Sequence, residues 1–494
     1  MLTTTRIRAL VSGALLVFLV IGCVTPPAGA PGDAESTDDA GIAARPESEV
    51  EDAAEPETPP EPVLTVPEAY DAISLSVQAG DPDAAIAAYQ KAELEDPDDP
   101  TTRTLLANLF LIAGDPGEAD AILAGVLAED SNNADALFLR ALIRGAADNE
   151  DEQRALLEQV LEIDPTHARA RAALAELLVQ ARSYRAAAEN FRQALEYEPE
   201  NLVARVGLGN VLLRQERYEE AEEQLTAAIA IDSDYSFAYS DRARARAFQY
   251  ELGGAESDLT SAIELEPDQY WHYIDRGRVR LERRRFQGAA TDFSTALELN
   301  DELFLGWALR AQANDALDSY DEARADYEAA LERRPDYHPA YAPLGVLHYM
   351  RESFDEAWEY FERAFEVNDR RYDLALMAAL SLKSARRERE ARDFLNGIVP
   401  SVPRDSLYWD MMRYYLQPGN EGFIMSRIRE STDRTQRAQM YFYLGAQLEL
   451  LGRVQTARVS FLEAEEELQP GFVERRLASW RLRAYRSEEE ERRE

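Results

Sequence analysis

The stretch at 184–199, YRAAAENFRQALEYEP, returns 34 positions later at 218–233 as YEEAEEQLTAAIAIDS, and again at 252–267 as LGGAESDLTSAIELEP. A small residue recurs at Ala187, Ala221, Ala255, Ala289, Ala323, Ala357 and Ala391. Four positions after each stands a large apolar one: Phe191, Leu225, Leu259, Phe293, Tyr327, Phe361 and Leu395. Three further on come Ala194, Ala228, Ala262, Ala296, Ala330, Ala364 and Ile398. Steps of three and four place each set on one stripe of a helix. A stop signal then closes each unit, at Pro199, Ser233, Pro267, Asp301, Pro335, Asp369 and Pro403. A fixed period of this length marks stacked helical hairpins, each unable to bury its apolar face alone.

The pattern extends in both directions. Upstream it is carried by Ala85, Tyr89, Ala92 and Pro97, then by Ala119, Leu123, Val126 and Ser131, and more loosely by Gln153, Leu157, Val160 and Pro165. The unit at 406–437 has lost its small residues and contains Pro418-Gly419, and the next recovers the pattern in Ala457, Phe461, Ala464 and Pro470. First helices have a ladder of their own: Gly209, Gly277, Gly345 and Gly445 let two helices approach closely. Aromatic residues stand four positions before several such small residues: Tyr239, Tyr273, Trp307, Tyr341 and Tyr441. The expectation is that these aromatics fill the groove beside the small residue of their own helix.

The combination resembles the tetratricopeptide-repeat family over residues 66–471. That resemblance implies an all-α, right-handed α-solenoid of about twelve 34-residue helix-turn-helix repeats, with a concave groove lined mainly by first helices. Residues 472–494 carry Phe472, Leu477, Trp480 and Tyr485 along one side before a charged tail, as expected of a C-terminal capping helix.

The N-terminus has a different character. Arg6 and Arg8 precede an apolar run at 9–22, ALVSGALLVFLVIG, too short for a comfortable membrane span and suited to a signal peptide over residues 1–22. It ends in Val20-Ile21-Gly22-Cys23, which resembles a bacterial lipobox and implies lipidation of Cys23. Cys23 is the only cysteine, so no disulfide framework exists. Residues 23–65 are acidic and rich in Pro and Ala, a composition expected of a disordered tether.

Charge narrows the function classes. The net charge of −40 argues against sequence-independent binding to nucleic acid and against flat docking on anionic lipid. Nearly all positive charge is arginine, since Lys91 and Lys383 are the only lysines.

In the first helix of the seventh repeat, Tyr273, Gly277 and Arg280 share one stripe, and Trp271, Ile274, Arg278 and Leu281 another. With the first stripe packed, the second faces the groove. Carried along the period, this gives a polar ladder Asn210, Arg244, Arg278, Gln312 beside an apolar ladder Val203, Phe237, Trp271, Leu305, with Tyr349 and Met350 extending it. Hydrogen-bonding groups beside large apolar ones suit a peptide or partner helix. The alternative is that Arg244 and Arg278 pair with Asp241 and Asp275, three positions earlier on their own helices. The lysine–asparagine pair by which some members of the family hold a C-terminal carboxylate is missing, because Val206 stands four before Asn210.

Little points to chemistry. His167, His272, His338 and His348 fall in different helices or turns, without cysteine partners, so no metal site is expected. Asp96, Asp98, Asp99, Asp232 and Asp234 sit where helix caps are expected, and Gly253-Gly254 where a hairpin turn is expected. No catalytic residues and no cofactor are assigned. The reading is a non-enzymatic, lipid-anchored scaffold of the bacterial cell envelope that binds partner proteins or peptides. Val24 is not the aspartate that retains many lipoproteins in the inner membrane, so the outer membrane is expected, facing the periplasm or the cell surface. The competing reading is a peptidoglycan or carbohydrate binder, or an activator of a cell-wall enzyme, with Trp271 and Phe237 stacking on sugar rings.

Overall fold

The computed structural model describes residues 64–92, 99–469 and 471–491. The expected signal segment 1–22, Cys23 and all but the end of the 23–65 tether lie outside the described residues, as do Asp96, Pro97, Asp98 and Pro470. The described chain forms two compact units, one ending at Glu251 and one beginning at Leu252.

Unit one pairs its helices in chain order. α1 (Val66–Gln78) goes with α2 (Pro82–Gln90), α3 (Pro100–Ile112) with α4 (Pro116–Glu129), and α5 (Ala134–Ala146) with α6 (Glu150–Ile163). α7 (Ala168–Gln180) packs on α8 (Tyr184–Tyr197) and α9 (Leu202–Arg214) on α10 (Tyr218–Ile231), and α11 (Ser236–Phe248) follows.

Unit two opens with α12 (Leu252–Leu265) against α13 (Tyr270–Glu282). Then come α14 (Phe286–Leu299), α15 (Phe304–Ala316), α16 (Tyr320–Arg333), α17 (Tyr341–Met350) and α18 (Phe354–Val367). The last seven are α19 (Tyr372–Ser384), α20 (Glu388–Ile398), α21 (Leu407–Leu416), α22 (Glu421–Glu430), α23 (Arg434–Leu450), α24 (Val454–Glu467) and α25 (Val473–Glu491). Each unit is thus an all-α solenoid of hairpins whose helices pack on their chain neighbours. Gly253 and Gly254, expected as a turn, lie inside the first turn of α12.

The recurring stripe is the core. Ala187, Phe191 and Ala194 are fully buried on α8, as are Ala221, Leu225 and Ala228 on α10 and Ala289, Phe293 and Ala296 on α14. Truncating such a Leu or Phe to Ala removes about 2–5 kcal/mol, because the surrounding helices cannot collapse into the cavity. The glycine seam departs from expectation. A Cβ on Gly277 would meet the ring of Phe293 at 2.4 Å, one on Gly345 that of Phe361 at 2.8 Å, and one on Gly445 that of Phe461 at 3.0 Å. The knob therefore comes from the second helix of the same hairpin. The same-helix aromatics have other roles: the Trp307 indole N–H donates to the Asp301 carbonyl at 2.8 Å, and the Tyr341 hydroxyl to that of Pro335 at 2.8 Å.

A second period sits in the turns. Asp148, Arg182, Glu216, Tyr250, Arg284, Asp318, Glu352 and Arg386 all have φ between 56° and 61°, at the place where Gly80 and Gly114 stand earlier and Gly452 later. The next residue closes the helix: Ser183 N donates to Leu178 O at 2.8 Å and Arg387 N to Leu382 O at 2.8 Å. This is the left-handed C-terminal cap, used here mostly without glycine.

The end of unit two is built differently. α21 and α22 have ten residues each, and α23 has seventeen. α23 packs on α19 as well as on its neighbours, so α19 is buried at every position from Leu374 to Lys383. Tyr443 on α23 donates to the Asp373 carbonyl at 3.1 Å, and Tyr415 donates to that of Tyr443 at 2.8 Å. α25 lies along α24 and α23, and it also reaches back to α17.

Candidate binding surfaces

The first helices place the two ladders as follows. In unit one, Asn210 is half-buried on α9, Phe237 is half-buried near the start of α11 with its ring 6.0 Å from Tyr235, and Arg244 projects from α11. The Arg244 side chain is 47% exposed and donates to Asp241 at 2.9 Å. In unit two, Trp271 is 42% exposed and tilts against Tyr270 at 4.9 Å. The Arg278 side chain is 61% exposed, 3.8 Å from Asp275, and Gln312 is exposed on α15. The stripe opposite is packed: Gly277 is buried, and Arg280 bonds Glu256 at 2.9 Å and Asp292 at 2.8 Å. Both arginines of the polar ladder stand within reach of the same-helix carboxylates that the sequence offered as their partners.

Tyr349 does not extend the exposed ladder. It is 8% exposed, its hydroxyl lies 3.3 Å from Ser384 Oγ, and the Trp480 ring of α25 meets it edge-on at 6.2 Å. The period places Tyr349 on the inner stripe of α17, but α25 covers that stripe. Met350 beside it is half-buried against the same core.

Two cavities among the described residues of unit one are lined by polar or first-helix side chains. The larger, about 430 Å³, is polar and sits at the inter-repeat turns, among Asp130, Asn133, Asp135, Asp164, His167 and Arg169. Its groups are largely engaged with one another and with backbone. Asn133 accepts from Ala136 N at 2.9 Å, the His167 ring from Ala170 N at 3.1 Å, and Arg169 stands 3.4 Å from Asp135. Asp99, from the group expected to cap helices, caps α3 by accepting from Thr102 N at 3.1 Å.

The smaller cavity, about 270 Å³, opens on the first-helix face. Glu176, Val179 and Gln180 of α7 line it, with Phe191 of α8, Val203, Val206, Gly207 and Asn210 of α9, and Tyr235. Gly207 makes the space: a Cβ there would stand 2.3 Å from the Phe191 ring. Glu176 occupies the ladder position one period before Asn210, a rung the sequence reading left out although the spacing reaches it. Among the described residues no hydrogen bond or charge acts on its carboxylate, and burial alone pushes it up to about 7.

Other ionisable groups serve packing. Arg276 forks onto Asp292 at 2.7 Å, and one period later Arg310 forks onto Asp326 at 2.6 Å. Burial holds His272 down to about 4. No group of three or more potential metal ligands occurs among the described residues.

Family models find the same repeat. One tetratricopeptide-repeat family model matches residues 76–143 and 178–247, and a second matches 274–338 and 309–367. Among solved structures, YrrB, described as a TPR protein with an unusual peptide-binding site, is 20% identical over 37% of this chain and 94% of its own, with a TM-score of 0.33. PilF of Pseudomonas aeruginosa is 20% identical over 42% of this chain and 95% of its own, with a TM-score of 0.38. The C-terminal part of a TPR repeat-containing protein from Cytophaga hutchinsonii is 16% identical over 49% of this chain and 99% of its own, with a TM-score of 0.38. No curated protein matches the chain. Proteins built on these repeats are generally non-catalytic scaffolds that bind peptides and proteins. Repeat models match in both units and hairpins run through each, so the chain carries tetratricopeptide repeats in both.

Proposed function

We propose that the chain is a lipid-anchored scaffold of the bacterial envelope whose first-helix faces bind extended or helical segments of partner proteins. The observation that carries the binding reading is exposure along one stripe. Trp271 is 42% exposed and Arg278 61% on their side of α13, while Gly277 on the other side is buried. An aromatic and a cation left to solvent on the same helix face supply stacking and hydrogen bonds to a partner. Arg244 and Phe237 offer the same pairing on α11 in unit one.

The membrane part of the reading rests on Val20-Ile21-Gly22-Cys23 and on the acidic stretch that follows, which lifts the repeats away from the lipid. Confinement to a membrane raises the effective concentration of partners held there. The outer membrane, facing the periplasm, is the proposed location because Val24 follows the cysteine.

Two comparisons test this. In-cell crosslinking of the wild type is set beside a Trp271→Ala/Arg278→Ala variant and a Phe237→Ala/Arg244→Ala variant of equal helicity. A defined partner recovered with the wild type and lost with either variant supports the surface, and identical partners from all three refute it. Fatty-acid labelling is set beside Cys23→Ala. Label lost and protein released to the soluble fraction is the expected result, whereas membrane retention of Cys23→Ala overturns the anchor.

A further inference from the structure

The cavity beside Asn210 has an uneven lining. Val179, Val203, Val206 and the Phe191 ring make it apolar, and Glu176 is the only carboxylate in it. An ionised carboxylate in such surroundings is costly unless paired. Buried carboxylates of unit two have partners: Asp292 has Arg276 and Arg280, Asp326 has Arg310, and Glu474 accepts from the Gln439 amide and the Tyr443 hydroxyl. Glu176 has no such partner within the described chain, although one period on the same ladder position carries Asn210, a neutral side chain.

We propose that this cavity is a subsite for one arginine side chain of the partner polypeptide, with Glu176 as the counter-ion. The assignment rests on the reading of the first-helix face as the binding surface. At about 270 Å³ the cavity has room for a single side chain. Charge favours a cation, because no other ionised group lines the space and the chain carries a net charge of −40. The mixed lining favours arginine over lysine. A guanidinium is more weakly hydrated than an ammonium and enters apolar surroundings more readily. Its stem lies along Val179, Val203 and Val206 while its head meets Glu176. The side-chain carbonyls of Asn210 and Gln180, both on the cavity wall, accept from the remaining N–H groups.

The arrangement sets a pH dependence. Tyr235 is the only other ionisable residue in the lining, so the response near neutrality belongs to Glu176. Burial holds Glu176 at about 7, and only its ionised form attracts a cation, so the arginine binds more tightly as pH rises through that value.

The test is selection of a displayed random heptapeptide library on the full chain in detergent, beside Glu176→Gln and Glu176→Lys of equal melting temperature. The subsite predicts enrichment of arginine at one peptide position with the wild type. It predicts loss of that preference with Glu176→Gln and a switch to Asp or Glu with Glu176→Lys. A peptide selected by the wild type then weakens about tenfold on Glu176→Gln, and on the wild type between about pH 8 and about pH 6. Should Glu176→Lys fail to fold, the near-isosteric Glu176→Gln decides alone. If wild type and Glu176→Gln select the same peptides, the arginine assignment is overturned while the binding face stands. If the wild type selects no peptide, both fall.

Discussion

Arg476 on α25 forks onto both carboxylate oxygens of Asp315 on α15, at 2.7 and 2.8 Å, across 161 positions of chain. In a simple solenoid each repeat meets only its neighbours. Here α25 reaches past them, since Arg476 also stands 5.8 Å over the Tyr320 ring and Trp480 meets Tyr349. Both charged partners are mostly buried, so this pair carries more weight than an exposed one. Arg476→Ala is expected to cost roughly 1.5–3 kcal/mol, confined to unit two. Amide hydrogen exchange in α25 should quicken, with α1 to α11 unchanged. Unaltered protection of α25 would show that its apolar side alone seats it.

Asp326 is almost fully buried beneath the Arg310 fork, and Asn314 adds a bond at 3.0 Å. Removing one member of such a pair strands the other charge. Asp326→Ala should therefore destabilise unit two by about 3–5 kcal/mol, and Arg310→Leu/Asp326→Leu should recover a large part of that. Denaturation of the three proteins measures it. A double variant no better than Asp326→Ala would refute the stranding argument.

Arg386 is exposed and holds φ at 61°, a region where a Cβ costs about 1–2 kcal/mol. Arg386→Gly relieves that strain and loses about 0.5–1 kcal/mol in unfolded-state entropy. The net expectation is a small rise in melting temperature. Gly114→Ala, at φ 79°, should lower it by the reverse argument. A lower melting temperature for Arg386→Gly together with a higher one for Gly114→Ala would show that the turn is not held in this region in solution.

His272 is buried on α13, its Nε2 3.9 Å from Glu266, and burial depresses its titration to about 4. The unfolded chain titrates this group near 6.5, so stability from the neutral ring is complete above that value. It is lost as pH falls from about 6.5 toward about 4. His272→Asn should lose less melting temperature than the wild type across that interval. Parallel curves for the two proteins would place the acid sensitivity elsewhere.

The hairpins and their core stripe were legible, because local spacing decides which face of a helix is apolar; on α13 Trp271 and Arg278 are exposed, but Ile274 of the same stripe is buried in the core. Glu176 was within reach, one period before Asn210, but nothing in its spacing tells a solvated glutamate from one facing Phe191 of its own hairpin and Val203 of the next. Tyr349 was read as exposed because its register matches the ladder, and no local signal announces that Trp480 covers it. The glycine seam went astray for the same reason. Tyr273 and Gly277 are neighbours on one helix, yet the ring that fills the space is Phe293, sixteen positions on.

What the residues alone settle here is periodic: the succession of helical hairpins, which small side chains admit a close approach, and which kind of repeat the chain carries. Each depends on interactions within one hairpin or between adjacent ones, so a 34-residue pattern contains it. What needed the folded chain is aperiodic. The burial of α19 by α23, the seat of α25 against Asp315 and Tyr349, and the unpaired Glu176 carboxylate all join residues from different hairpins. Such contacts follow from how packed helices are displaced in space, which no single repeat encodes.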